Sequence, residues 1–421
     1  MKKSNIRMLA ATCVMLYIAC TLRRPLFWGE LSSPVINDFV LRFFGSSVFA
    51  LRMISVAAVF CGACCVLAMC RSSENKKILP VAALLFLTNF FVFCTGISGG
   101  AAALGGFFCI LSMTLLYWAF TLPQVWKKIL CGIGCGGLLF GGLALHVPQC
   151  DLQQFLPVLF PWVLFVPSTV RKVKGQWGNL RQDKCFCFAV WMTAVWGVTA
   201  LVSRRPEALY PAVAGASILL AQLVCRLDKT AYDRTLNYFA GALLPFPVLL
   251  FIWQTVGRFT DWIPPKYLFY MKGENYFVPV IALTLLIVWW KMAVREEDEL
   301  KKFLYVCAGV AFVLLALPNS IPVKYLRQEA VQEFFNTTVK HISPGKNARF
   351  LASGKEMRQA VRWCFSQNAV EEYIPSKLDR KRETLIFTGN KADVTALPHP
   401  KNYYTNGKFY IVYYPIVSKV V

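Results

Sequence analysis

The sequence predicts an all-α polytopic membrane protein that ends in a small α/β domain, and three observations carry that expectation. The chain has 421 residues, of which 57% are hydrophobic and 16% charged, with a mean hydropathy of +0.49; soluble domains carry about 25% charged residues. Apolar runs approaching the length a bilayer requires recur about eleven times before residue 318. From Pro318 onward the composition turns polar, with turn signals at Ser343-Pro344-Gly345, Pro375 and Gly389-Asn390. The expected division is therefore 1–317 for the membrane domain and 318–421 for the α/β domain.

Taken in order, the expected spans are Met8–Leu22, Val48–Cys70, Leu79–Cys94, Gly100–Phe120, Ile129–Val147, Phe155–Val170, Phe186–Val202, Tyr210–Cys225, Tyr238–Val256, Phe277–Trp290 and Phe303–Leu317. The first follows a basic start, as a signal peptide would. No small-residue cleavage site is evident, so it reads as a retained helix. With the N-terminus inside, the even connections hold about twenty Lys and Arg against about eight in the odd ones, the bias of the positive-inside rule. This predicts a cytoplasmic N-terminus and an extracytoplasmic tail in an inner (plasma) membrane. The net charge of +23 then reflects loops facing anionic lipid, and no nucleic-acid-binding motif accompanies it. The run Arg295–Lys302, REEDELKK, reads as a solvated helix end.

In the tail, helical spacing marks Val331–His341 and Lys355–Phe365, and apolar runs mark strands at Ala348–Ala352, Thr384–Thr388 and Lys408–Tyr414. The short segment Phe39–Phe44 reads as an amphipathic interfacial helix capped by Asp38. Most of the 16 cysteines sit inside apolar runs, where a thiol packs as a small apolar group. The glycines of Gly96–Gly106 and Gly132–Gly142 also lie within expected spans, where small residues let helices approach closely. The three histidines are scattered and form no metal-ligand spacing. No phosphate-cradling glycine loop and no nucleophile triad is present.

Specific strings go further. Phe44-Gly45-Ser46-Ser47-Val48-Phe49-Ala50-Leu51-Arg52-Met53 resembles the FG-x-S-x-F-A-x-R-L segment opening the second span of polyprenyl-phosphate-dependent membrane glycosyltransferases. These have the GT-C fold, and the resemblance points to lipid A aminoarabinose transferases and protein mannosyltransferase relatives. Pro34 stands where that family has Lys-Pro-Pro. Gly96–Leu104 with Phe107-Phe108 follows its G-R-L-A-T-x-D-x-L…F-F segment. Gly137–Leu145 with Pro148 is similar to its G-x-x-T-K-G…P segment. In the tail, Val323–Gln328 to Pro344-Gly345 and Met357–Trp363 resemble elements of its periplasmic domain.

The resemblance implies transfer of a sugar from a polyprenyl-phosphate donor to a lipid or cell-envelope glycan on the outer face, without a nucleotide cofactor. The sequence itself offers no support for a divalent metal. An acid in the first outer loop would be the general base; Glu30 and Asp38 are the carboxylates left there. Arg52, Arg204, Arg205, Lys266 and Tyr267 would hold the donor phosphate. Arg52 is an intramembrane charge, and Arg204-Arg205 runs against the positive-inside trend. The chain also departs from the pattern. The Asp-Glu-x-x-Tyr start of the first loop is missing, Ala102 stands where the family has Asp, and Gly141, or Phe140 with a small offset, stands where it has Lys. Two other functions remain open: a non-catalytic relative that binds polyprenyl phosphate or acts as a scaffold, and a transporter or flippase. A transporter would show internal repeats and broken helices around midplane polar residues, and the sequence shows few of either.

Overall fold

The computed structural model describes residues 34–73, 75–97, 101–144, 161–166, 169–170, 177–259, 278–319, 331–345, 347–365, 368–374, 382–389, 393–394, 402–406 and 409–415. The expected first span and half of the sixth lie outside them. The described residues form two compact units, one of residues 52–319 and one of 34–51 with 331–415.

Helix α1, Pro34–Phe44, is the first element among the described residues and ends at Gly45, whose φ of +65° suits a residue without a Cβ. Ser47 then caps α2, Val48–Cys70, its hydroxyl accepting from the Ala50 amide at 3.2 Å. The stretch expected as one span at Leu79–Cys94 is instead two helices, α3 (Ile78–Leu87) and α4 (Phe90–Ile97), bent by 59°. The cause is local. Asn89 accepts from the amides of Phe91 at 3.0 Å and Val92 at 3.4 Å, which starts a new helix, while the Thr88 hydroxyl donates to the Leu84 carbonyl at 2.6 Å.

Helices α5 (Ala101–Thr121) and α6 (Val125–Ala144) form a close hairpin. A Cβ built on Gly142 would lie 3.1 Å from the Gly105 carbonyl oxygen, so small residues let these backbones meet. After a 3₁₀ turn at Trp162–Phe165 and the short α7 (Trp177–Gln182) comes α8, Lys184–Ser203. Asp183 caps it, accepting from Cys185 N at 2.8 Å. A second 3₁₀ turn, Pro206–Ala208, leads into α9, Leu209–Val224. Helices α10 (Lys229–Leu243), α11 (Pro245–Phe259), α12 (Val278–Arg295) and α13 (Glu299–Asn319) follow among the described residues. Trp162 stacks on Phe239 with centroids 5.0 Å apart, joining the 3₁₀ turn to α10.

Among the described residues, four helices are long and apolar enough to cross a membrane, or five if the bent pair α3–α4 is one span. The run Arg295–Lys302 is not wholly solvated. The Lys302 side chain is 8% exposed and its Nζ lies 2.5 Å from Asp233 Oδ1, while Glu299 pairs with Lys77 at 3.0 Å. An ammonium at a helix packing surface needs such a partner, because burying it alone would be costly. A run of charges in a sequence does not reveal which of them has one.

The second unit is an α/β layer. Helices α14 (Val331–Ile342) and α15 (Lys355–Cys364) accompany strands β1 (Arg349–Ala352), β2 (Val370–Glu372), β3 (Thr384–Thr388), β4 (Asn402–Thr405) and β5 (Tyr410–Tyr414). The sheet order is β2-β1-β3-β5-β4, with β1 parallel to β2 and β3, and β5 antiparallel to β3 and β4. Alternation places Phe350, Phe387 and Phe335 in one aromatic layer, and Leu351, Ile386, Val394 and Val412 in the other. Helix α1 packs against α15 in this unit. Expected helices and strands of the tail are present within a residue or two; β2 and β4 were not expected.

Candidate functional site

The residues expected to carry chemistry fall in different places. Glu30, Lys266 and Tyr267 lie outside the described residues. Asp38 is exposed on α1, in an open cleft of about 520 Å³ that also takes in Arg42, Arg362 and Asn368. It belongs to the unit that holds the sheet. Arg52, Arg204 and Arg205 belong to the helical unit. Arg52 stands in the first turns of α2 and is 1% exposed, a position that an isolated guanidinium would not hold in apolar surroundings.

Arg204 and Arg205 form the turn between α8 and α9. Arg204 closes α8 in the left-handed conformation, φ 54° and ψ 28°, with its amide donating to the Ala200 carbonyl at 2.8 Å. Glycine normally fills that position because a Cβ makes it unfavourable; here the turn carries an exposed guanidinium instead. Arg205 is extended and half-exposed, and Pro206 then starts the 3₁₀ turn into α9.

Beneath this turn lies Glu207, which the sequence reading missed. It is 0% exposed, and neither carboxyl oxygen has a hydrogen-bond partner among the described residues. Its Oε1 lies 3.6 Å from Arg205 Nη1, an ionic contact that is not a hydrogen bond. Its stem packs on the glycine hairpin: a Cβ built on Gly105 would lie 3.3 Å from Glu207 Cβ and 3.3 Å from the Gly142 carbonyl. The missing side chain at Gly105 makes room for it, while Gly142 lets the two hairpin backbones approach. The available signal was an acid directly after Arg-Arg-Pro and one turn before an apolar run. Counting that segment as loop hid the fact that it enters the helix bundle.

The positions that depart from the family pattern are also visible. Ala102 is in the first turn of α5, and Phe140 on α6 is 76% exposed, so its ring points away from the packed side of that helix. Among the described residues no group of His, Cys, Asp and Glu is arranged to hold a metal ion. In the sheet unit, the Tyr413 hydroxyl donates to Glu383 at 2.6 Å, and that bond holds the phenol up at about 12.

Apolar helices, the small-residue hairpin and the appended small sheet together define a membrane protein with a GT-C-like fold. The chain is similar in structure to ArnT from Cupriavidus metallidurans, an aminoarabinose transferase of the GT-C superfamily. Against its apo crystal structure the TM-score is 0.68 at 10% identity, covering 98% of both chains. Against the crystal structure bound to undecaprenyl phosphate it is 0.68 at 11% identity, covering 99% of both. No family model matches the sequence, and no curated protein matches it in sequence.

Proposed function

We propose that this chain is an integral membrane glycosyltransferase that moves a sugar from a polyprenyl-phosphate donor to a lipid or cell-envelope glycan. The observation that carries this reading is the end-to-end likeness to ArnT, one structure of which holds undecaprenyl phosphate. In this reading the chain lies in the inner membrane, with its N-terminus cytoplasmic and the sheet unit extracytoplasmic. The excess of Lys and Arg in alternate connections supports that orientation.

The acceptor's hydroxyl oxygen attacks the anomeric carbon while the bond from that carbon to the phosphate oxygen breaks, with inversion. The bonding pair leaves on polyprenyl phosphate, and the hydroxyl proton passes to a carboxylate. Glu30 and Asp38 are the proposed acceptors of that proton. The exposure of Asp38 in an open cleft beside Arg42, Arg362 and Asn368 supports its access to an acceptor sugar. Arg204 and Arg205, with Arg52, Lys266 and Tyr267, are the proposed partners of the donor phosphate, where cations offset the charge that grows as it departs.

The test is a glycolipid profile by mass spectrometry from cells carrying Glu30→Gln, Asp38→Asn and both together. Loss of a general base slows transfer by about a hundredfold or more, so one species should nearly vanish. A profile unchanged in the double variant sinks catalysis from these carboxylates. A second reading, a non-catalytic relative that retains polyprenyl phosphate, is favoured by Ala102 and the outward ring of Phe140. It expects the unchanged profile together with co-purified polyprenyl phosphate.

A further inference from the structure

A buried carboxyl with no hydrogen bond needs an explanation, and Glu207 is the sharpest such case in the helical unit. Packing does not supply one. The methylenes of a Gln or Met would fill the space over Gly105 equally well, without the desolvation cost of an acid. What Glu207 adds is a negative charge directly beneath Arg205. The contact at 3.6 Å is loose, and neither oxygen is hydrogen-bonded among the described residues. Such a pair holds a guanidinium in place but gives it up more readily than a bidentate one. Arg204 beside it is held exposed by a left-handed backbone that non-glycine residues rarely adopt.

We propose that Glu207 is a built-in counter-anion that occupies Arg205 when the turn is empty and competes with the phosphate of a polyprenyl lipid for that guanidinium. It is thus an affinity-setting residue rather than a catalytic one. The inference rests on the reading of Arg204-Arg205 as a phosphate-binding turn. When the phosphate arrives, Arg205 turns toward it. When polyprenyl phosphate must leave, the carboxylate draws the guanidinium back and repels the departing anion. A site without Glu207 would hold its product longer.

The sign of the effect separates this role from a structural one. In full-length protein in nanodiscs, titrated with undecaprenyl phosphate, Glu207→Gln should bind about tenfold more tightly than the native chain. This is the size expected when one nearby like charge is removed from a partly desolvated site. Arg204→Ala/Arg205→Ala should bind at least about tenfold more weakly. Should Glu207→Gln not fold, Glu207→Asp withdraws the carboxylate by one methylene and should tighten binding by a smaller factor. Unchanged or weaker binding in the folded Glu207 variant, with binding still lost in the double arginine variant, overturns the counter-anion alone. Unchanged binding in the double arginine variant overturns the phosphate-binding turn, and the counter-anion with it.

Discussion

Helix α8 and the segment Pro206–Val224, in which the second 3₁₀ turn runs into α9, are consecutive, 20 and 19 residues long and both apolar enough to cross a membrane, yet they do opposite things. The more hydropathic of the two, α8, has 33% of its most apolar stretch buried, against 89% for Pro206–Val224. Helix α8 exposes Trp191, Val195, Val198, Leu201 and Val202. Helix α9 carries Ala212, Ala214, Gly215, Ala216 and Ser217 through its middle and buries Glu207 before its start and Gln222 near its end. In a bilayer the hydrophobic effect does not decide which helix is central, because lipid is as apolar as leucine; close packing of small residues and satisfied polar contacts do. The two buried polar residues differ in turn. The Gln222 amide nitrogen donates to Asp183 at 2.9 Å and to Ser73 at 3.4 Å, tying helix ends together although its Oε1 has no partner among the described residues, while neither oxygen of Glu207 has a hydrogen-bond partner among them and its ionic contact with Arg205 is loose. One end of α9 is bonded as structure. The other is left open to exchange.

The strongest way to break this comparison is at the contact of α9 with α5. Gly106 lies under Tyr210, and a Cβ there would stand 2.2 Å from the ring's Cδ2 and 2.8 Å from Tyr210 Cβ. The tyrosine cannot swing aside cheaply, since its hydroxyl is bonded to that of Thr95 and its ring packs edge-on against Phe91. Gly106→Ala should therefore cost about 3 kcal/mol, the upper range of overpacking. Thermal unfolding in detergent measures it, and a midpoint equal to that of the native chain would mean that α5 and α9 are not in contact as described.

Next is the contact between the two compared helices. A Cβ on Gly215 would lie 2.4 Å from Thr193 Oγ1 and 2.9 Å from the Ala189 carbonyl. Thr193 is itself bonded to that carbonyl at 2.7 Å. The hydroxyl can rotate away but the backbone cannot, so Gly215→Ala should cost about 2 kcal/mol by the same measurement. A neutral result there would detach α8 from the close-packed centre.

The sequence disclosed much of this architecture, and what it concealed has physical causes. Strands β1, β3 and β5 are apolar and central, and they are the ones expected. Strands β2, VEE, and β4, NYYT, are the two edges of the sheet, where short polar strands are usual because an apolar edge invites aggregation. Composition cannot flag them. The glycines of α5 and α6 were legible as packing positions, but not the acid whose stem packs over Gly105. The break at Thr88-Asn89 was hidden by the apolar residues on both sides, since hydropathy is blind to a cap. For the candidate site, the arginine pair was visible from its charge against the topology. Glu207 was not, because burial of a loop acid depends on which helices close over it.

The smallest effect belongs to the lipid-facing side of α8. Val198 is 62% exposed and Val202 81% exposed. Truncating either removes atoms that touch lipid rather than protein, so no cavity forms inside the bundle and no partner is left unpaired. Val198→Ala and Val202→Ala should each stay within about 0.5 kcal/mol of the native chain, as surface substitutions do. The same truncation at Met192, which is 0% exposed on the other side of the same helix, should cost about 2 kcal/mol or more through the cavity it leaves. The informative quantity is the contrast between the two faces of one helix. If Val198→Ala matched Met192→Ala, α8 would have to be covered by protein on its outward face, and the opposition between the lipid-facing and the central helix would collapse.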